Sequence, residues 1–150
     1  LTDGRYMSFT DAPPPLEETG GPSAKDVSGT VIPGISKTAV SVGGEYTHDA
    51  RIVGRAGQLF GAVDTSYRSR FSSNASASKY LVVPAYSIVN ARVGFRAANG
   101  WTVSVWARNL LDSNYYDLLS PAPGNTGLYV GQPGDPRTVG VTMRLSFDKR

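Results

Sequence analysis

The stretch RTVGVTMRLSF, residues 137–147, alternates between apolar and small or polar side chains along its whole length. One set of alternate positions holds the apolar side chains Val139, Val141, Met143, Leu145 and Phe147. The other set holds Gly140, Thr142, Arg144 and Ser146. Because successive side chains of a β-strand point to opposite faces, this period of two predicts a strand with one apolar and one polar face.

The same period of two recurs in earlier parts of the chain. It extends over residues 38–47, 57–68, 89–96 and 101–109, and residues 5–9 have the pattern of the end of a further strand. No helical pattern separates these segments, and consecutive strands that are joined directly run antiparallel. The sequence therefore predicts an all-β fold, an antiparallel meander of six strands.

The connections between the predicted strands alternate in length. Three are long, at residues 10–34, 69–84 and 118–136, and they are rich in proline, glycine or serine. Two are shorter: residues 48–56, and residues 97–100, whose Asn-Gly step is typical of a hairpin turn. Since alternate connections of a meander lie at opposite ends of the sheet, we expect all three long loops at one end.

Two architectures fit this pattern. An outer-membrane β-barrel has short periplasmic turns, long extracellular loops, and strands with one side toward lipid and the other toward a polar lumen. A soluble β-sandwich also has strands with two unlike faces. Aromatic residues near the strand ends would suit the interfacial girdles of a barrel: Tyr46, Tyr67, Tyr86, Trp101, Tyr115, Tyr116 and Phe147. The pattern of residues alone leaves both architectures open.

The composition excludes several classes of protein. The 150 residues, enough for one domain, contain no cysteine, so neither disulfides nor thiolate metal sites hold the fold. The sequence has no run of 18 apolar residues, which excludes a membrane-spanning helix. The net charge is +3 and the arginines are scattered singly among apolar positions, which argues against nucleic acid as a partner.

No motif predicts catalysis. Residues 29–38 are the nearest approach to a phosphate-binding loop, but two residues separate the second glycine from Lys37. His48, the single histidine, is expected in an exposed turn. Asp112 and Asp117 form a carboxylate pair in sequence of a kind that is common without catalysis.

No motif predicts a metal or modification site either. Glu17, Glu18 and Asp26 are too loosely spaced for a calcium loop. Residues 74–76, Asn-Ala-Ser, match the glycosylation triplet, which is too short to be informative by itself. We therefore expect no catalytic, cofactor-binding or metal-binding residue, and a protein that is not an enzyme.

Two segments carry a family resemblance. Residues 106–117, WARNLLDSNYYD, contain an Arg-Asn-Leu-x-Asp-x-x-Tyr pattern, and residues 136–140, PRTVG, open the final apolar alternation that runs to Phe147. In this order and spacing they resemble the C-terminal part of the β-barrel of TonB-dependent outer-membrane receptors. The resemblance spans nearly the whole chain, with further agreement at residues 6–13, 35–46, 67–71 and 86–94.

The resemblance implies a barrel of about 22 strands closed around an N-terminal plug domain. Six strands do not close such a barrel. The resemblance therefore implies that residues 1–150 are a C-terminal segment of the barrel, a fragment from which the plug domain and the N-terminal strands are absent. Phe147, which only three residues follow, is then expected to be the signal that the barrel-assembly machinery reads.

The resemblance also implies a function. Receptors of this family bind a scarce substrate, often a ferric siderophore and sometimes cobalamin or a carbohydrate, and import it with energy delivered through TonB. We therefore expect this chain in the outer membrane of a Gram-negative bacterium, with its C-terminus in the periplasm. Its expected partners are the small-molecule substrate, outer-membrane lipid, the barrel-assembly machinery and, through the missing N-terminal region, TonB.

Within this chain the resemblance assigns the substrate side to the loops at residues 10–34, 69–84 and 118–136. It assigns no individual substrate-binding residue, because substrate contacts in such loops follow no fixed motif. Two other functions remain open at this stage. One is a passive, porin-like channel, and the other is a small soluble β-sandwich that acts as a binding module.

Overall fold

The structure, a computed structural model, describes residues 1–18, 20–124 and 127–146. Its long strands are β1 (Ala39–Ile52), β2 (Arg55–Arg68), β5 (Tyr86–Ala97), β6 (Trp101–Arg108) and β9 (Thr138–Leu145). Its short strands are β3 (Phe71–Ser72), β4 (Val82–Val83), β7 (Tyr116–Pro121) and β8 (Tyr129–Pro133), and residues Lys79–Leu81 form one 3₁₀ turn. No helix among the described residues is long and apolar enough to cross a membrane.

The five long strands form one sheet in the order β1-β2-β5-β6-β9. Each long strand therefore pairs with the long strand that precedes or follows it in the sequence, and the paired strands are antiparallel. This confirms the predicted all-β meander. The described sheet is open, with β1 at one edge and β9 at the other.

The prediction of a strand at residues 5–9 is wrong. Arg5 forms only an isolated bridge with Val31, and the amide of Val27 donates to the carbonyl of Phe9. The segment thus pairs irregularly with the later part of its own loop. An apolar alternation of five residues is too short to decide which partner a segment pairs with.

The first short connection is shorter than predicted. The turn between β1 and β2 consists of Val53 and Gly54 alone, with φ values of 50° and 72°. Two residues with positive φ are the arrangement of the hairpin turns whose twist suits antiparallel strands. β1 continues through the polar residues near its end, so His48 is exposed within the strand. The prediction that His48 lies in a turn is wrong.

The second short connection agrees with the prediction. Residues 98–100 join β5 to β6, and the amide of Gly100 donates to the carbonyl of Ala97. Gly100 has a φ of 91°, a conformation that glycine adopts without steric cost. The Asn-Gly signal therefore marks a three-residue hairpin loop.

The register across β5, β6 and β9 fixes the two faces of the sheet. Val93 lies opposite Val105, which lies opposite Val141. On the other face, Arg96 lies opposite Thr102, which lies opposite Arg144. We call these the apolar face and the polar face of the sheet.

The apolar face is solvent-exposed in the described structure. Val141 is 70% exposed and Met143 66%. Exposed apolar side chains also occur on each of the four remaining long strands: Val40, Val42, Leu59, Val63, Val93 and Val105. In a β-sandwich such a face is buried against a second sheet. An apolar face left open across five strands is instead expected where the surrounding medium is itself apolar.

The chain divides into two compact units. The first, the loop unit, comprises Leu1–Val40, Tyr67–Tyr86 and Asn114–Gly134, and so gathers the long connections. Within the loop unit β3 pairs with β4, β7 pairs with β8, and Val27, Leu81 and Val83 are almost fully buried. The second, the sheet unit, contains both short turns. This division agrees with the expectation that the long loops group together.

Candidate functional site

Three residues tie the three long loops to one another within the loop unit. Ser78, from the second loop, donates a hydrogen bond to the Glu17 carboxylate of the first loop at 2.7 Å. The hydroxyl of Tyr129, from the third loop, donates to the other oxygen of the same carboxylate. The Ser78 side chain is 1% exposed, although Glu17 itself lies at the surface. We call Glu17, Ser78 and Tyr129 the loop clasp.

The clasp stabilises the charged form of Glu17. Desolvation raises the pKa of the Glu17 carboxyl. The hydrogen bonds from Tyr129, Ser78 and the backbone amides of Glu17 and Lys79 outweigh that effect and lower the pKa from 4.5 to about 2. Hydrogen bonds donated to a carboxylate favour its ionised form. Glu17 is therefore an anion over the whole physiological range.

Further hydrogen bonds join the loops in pairs. The amide of Gly34 donates to the carbonyl of Ser72 at 2.8 Å, which connects the first and second loops. The Ser73 hydroxyl bonds both the carbonyl and the amide of Leu119, which connects the second and third. Loops held in this way present a defined surface rather than independent segments.

Polar and small apolar side chains line a small cleft in the loop unit. The cleft has a volume of about 210 Å³, and its lining includes Thr30, Asn74, Ser78 and Lys79. The ring of Tyr80 lies 5.6 Å from that of Tyr129, and the Lys79 ammonium lies 5.0 Å from the Tyr80 ring centre. The polar side chains in the lining of the cleft suit a polar small molecule.

The polar face of the sheet carries a second cleft. Its volume is about 510 Å³ and its lining includes Arg92, Arg96, Arg108 and Arg144. Arg92 forms an ion pair with Glu45 at 2.7 Å. These arginines are scattered in the sequence, but the strand register brings all four to one face of the sheet. The argument against a nucleic-acid partner used scattered basic residues as its premise, and that premise is wrong for the folded sheet.

Two glycines leave space for aromatic rings in this cleft. A side chain at Gly94 would meet the ring of Phe60, which lies over it, and a side chain at Gly140 would meet the ring of Trp106. The Trp106 Nε1 donates to the Thr142 hydroxyl at 3.0 Å. The rings in turn support guanidinium groups: Arg96 lies 4.9 Å from the Phe60 ring centre and Arg108 lies 5.4 Å from that of Trp106.

The WARNLLDSNYYD segment is a structural turn at the end of β6. Asn109 is 3% exposed, and its side chain donates to the carbonyls of Ser113 and Asp135 and accepts from the amide of Ser113. Its own amide donates to the Asn90 side chain at 3.0 Å. Asp112 forms an ion pair with Arg137 at 3.6 Å. Side-chain contacts of this stretch therefore hold the chain that leaves β6 against residues 135–137, which precede β9.

The carboxylates considered for a calcium loop have separate partners. Glu18 pairs with Lys25 at 2.7 Å, whereas Asp26 accepts from the Ser28 amide and Glu17 belongs to the clasp. Hydrogen bonds from Ser28 lower the pKa of the Asp26 carboxyl. Among the described residues, no three histidines, cysteines or carboxylates come together as metal ligands.

Asn74 and Phe147 are the remaining residues that the sequence singled out. In the Asn-Ala-Ser triplet, the Asn74 side chain accepts from the amide of Ser76, so this asparagine stabilises its own turn. Phe147 lies outside the described residues, and its role as an assembly signal stays a prediction. The roles of Ser78, Tyr129 and the arginine cleft were missed. They depend on contacts between distant segments, for which the sequence carries no local signal.

Comparison with known proteins identifies a family. The family model described as TonB dependent receptor-like, beta-barrel matches residues 3–110. The match includes β1, β2, β5 and β6 and ends inside the WARNLLDSNYYD segment, so the PRTVG strand lies beyond it. No curated protein and no solved structure gives a significant match.

Proposed function

Because this chain belongs to the TonB-dependent receptor family, whose members are transporters of the outer membrane, we propose that it is the C-terminal segment of such a receptor's barrel. In this proposal the complete receptor captures a scarce small molecule at the cell surface. Energy delivered through TonB then drives its import. The chain has a transport role and performs no chemistry on the substrate.

The observation that carries this proposal is the open meander with one exposed apolar face. β1 and β9 are the edges of the described sheet, and an unpaired strand edge is not tolerated in lipid. We infer that further strands of the receptor pair with these edges and close the barrel. The apolar face then contacts outer-membrane lipid, and the polar face lines the interior.

The meander supports a proposal for the orientation of the chain. The amide of Ser146 donates to the carbonyl of Gly100 at 2.8 Å, so the end of β9 lies beside a short turn. Short turns are periplasmic in outer-membrane barrels, and on this basis we place the C-terminus in the periplasm. An epitope tag after Arg150 should become accessible to antibody only after the outer membrane is permeabilised. Labelling of intact cells would reverse the orientation.

We propose a ferric siderophore as the substrate, with cobalamin and carbohydrate as the alternatives. The support is chemical. The loop unit offers the aromatic rings of Tyr80 and Tyr129 beside Lys79, and the polar face offers arginines. Iron complexes held by anionic oxygen ligands are complementary to such surfaces, because arginine binds anionic oxygen strongly.

Uptake by the complete receptor tests the function. Cells with and without the receptor, each with and without TonB, are given radioactive ferric siderophores, cobalamin and oligosaccharides in turn. We expect siderophore uptake that requires both proteins. Uptake of cobalamin or oligosaccharide alone would make the siderophore assignment wrong. Uptake that requires the receptor but not TonB would indicate a passive channel and overturn the energised mechanism.

A further inference from the structure

We propose that Arg96, Thr102 and Arg144, which share one row of the polar face, form a binding site for an oxyanion such as a carboxylate or phosphate group. The row is defined by the register: Thr102 of β6 lies between Arg96 of β5 and Arg144 of β9. The two arginine Cα atoms are therefore two strand spacings, or about 10 Å, apart. Both long side chains can reach a group that sits above Thr102.

The charges of the polar face do not balance by themselves. Four arginines line the cleft, whereas Asp64 is the one carboxylate in its lining. Asp64 accepts a hydrogen bond from Asn90 at 2.7 Å. Nearby Glu45 binds Arg92 closely and reaches Arg96 only at 3.7 Å. Among the described residues neither Arg108 nor Arg144 has a carboxylate partner, so the cleft carries excess positive charge, part of it at Arg144.

One of the two arginines has described contacts in the absence of an anion. The Arg96 guanidinium rests on the Phe60 ring, and that ring is 5% exposed because it lies over Gly94. The adjacent row, Gly94–Ser104–Thr142, consists of small residues, which accommodate the Phe60 ring over Gly94. Two guanidinium groups and a threonine hydroxyl on one row of the sheet offer several donors to one anion, and arginine binds oxyanions strongly through such charge-assisted hydrogen bonds.

The oxyanion has two conceivable sources. It is either a free anion, including an anionic group on a transported molecule, or an acidic side chain from another part of the complete receptor. Both make the same charge-assisted hydrogen bonds. The proposal concerns this shared chemistry and does not depend on whether the transported substrate is a siderophore. The outcome of the uptake experiment therefore does not decide it.

Inorganic phosphate is the probe for the test. Purified complete receptor is titrated with phosphate by calorimetry, alongside the variants R96Q, R144Q, R144K and R55Q. Arg55 is an exposed arginine of β2 outside the cleft, so R55Q matches the charge change. We expect R96Q and R144Q each to weaken phosphate binding about tenfold, because each removes charged donors. R144K should fall between wild type and R144Q, since lysine keeps the charge but lacks the planar fork.

Thermal unfolding of the same proteins distinguishes the two sources. Phosphate binding that R96Q and R144Q weaken but R55Q does not would identify a free anion as the ligand. The second source is an acidic side chain of the receptor that already occupies the site. In that case the receptor binds no phosphate, and R144Q lowers the unfolding midpoint by more than R55Q does. The proposal is overturned if phosphate binding is unchanged in all variants, or if binding is absent and R144Q is as stable as R55Q. Should R144Q fail to fold, R144K supplies the same comparisons.

Discussion

At Asn109 the backbone has a φ of 47°, and the side chain is buried with its hydrogen bonds satisfied. Asparagine is one of the few residues other than glycine that adopts this conformation readily. Its side chain bonds Ser113 and Asp135, so it holds the chain leaving β6 against the chain that enters β9. Asn109 therefore acts as a structural fastener between these two segments.

We predict that Asn109→Ala lowers the free energy of unfolding of the receptor by about 1–3 kcal/mol, because buried backbone groups lose their partners. Urea-induced unfolding in lipid measures the change. Asn109→Gly separates the two causes, since glycine accepts the positive φ but provides no side-chain bonds. Asn114→Ala, at an exposed asparagine, is the control. Equal stability of Asn109→Ala and Asn114→Ala would refute the fastener role.

Glu17 gives the loop unit a pH dependence with a defined sign. Its pKa is depressed in the folded chain, from 4.5 to about 2, so its contribution to stability is complete above pH 4.5 and is lost as the pH falls toward 2. We predict that the unfolding midpoint of wild type exceeds that of Glu17→Gln at neutral pH. The difference should shrink between pH 4.5 and 2.

Thermal unfolding from neutral pH downward measures this difference. Glu18→Gln, which removes the neighbouring carboxylate and its contact with Lys25, is the matched control and should leave the Glu17-dependent slope in place. A difference between wild type and Glu17→Gln that stays constant down to about pH 2 would contradict the clasp as the source of the effect.

At the scale of elements, alternation predicts the long strands well because one face is apolar and the other polar. It fails at the C-terminal end of β1, where His48 and Arg51 have the polarity of a loop yet lie in the strand. It also misses the β7–β8 pair, in which Pro121 and Pro133 give the appearance of an irregular loop. Hairpin pairing of the backbone determines these regions, and that pairing has little signature in side-chain polarity.

The register explains why the arginine row could not be predicted. Alternation assigns Arg96 and Arg144 to a polar face but does not say which residues lie opposite each other. That information depends on the hairpin loop at residues 98–100 and on the long connection before β9. The sequence thus predicts the faces of the sheet, and only the folded chain defines the site.

Two glycines of the sheet should respond differently to the same substitution. A Cβ at Gly94 would lie 2.5 Å from the Val103 carbonyl oxygen, whereas a Cβ at Gly61 would meet no atom within 4 Å. We predict that Gly94→Ala lowers the unfolding free energy by about 1–3 kcal/mol through overpacking. Gly61→Ala should be neutral or slightly stabilising, because glycine weakens a strand interior. Urea unfolding compares them, and equal losses would contradict the described packing between β5 and β6.

At the scale of the whole molecule, the two faces of β9 should tolerate charge differently. We predict that Val141→Arg lowers barrel stability by about 2–4 kcal/mol if this position lies near the membrane midplane, because it places the charge in lipid. Thr142→Arg should cost much less, since Thr142 shares the polar face with Arg144. Unfolding from lipid vesicles measures both variants. Equal losses at the two positions would refute the assignment of the faces.

Spin labels on single cysteines test the membrane assignment most directly, since this chain contains no native cysteine. Labels are placed at Val141 and Thr142 of the complete receptor in lipid vesicles, and their collisions with oxygen and with a water-soluble nickel complex are measured. Oxygen concentrates in lipid, so we expect the Val141 label to favour oxygen and the Thr142 label not to. A Val141 label that is more accessible to nickel than the Thr142 label would contradict the placement of the apolar face in the outer membrane.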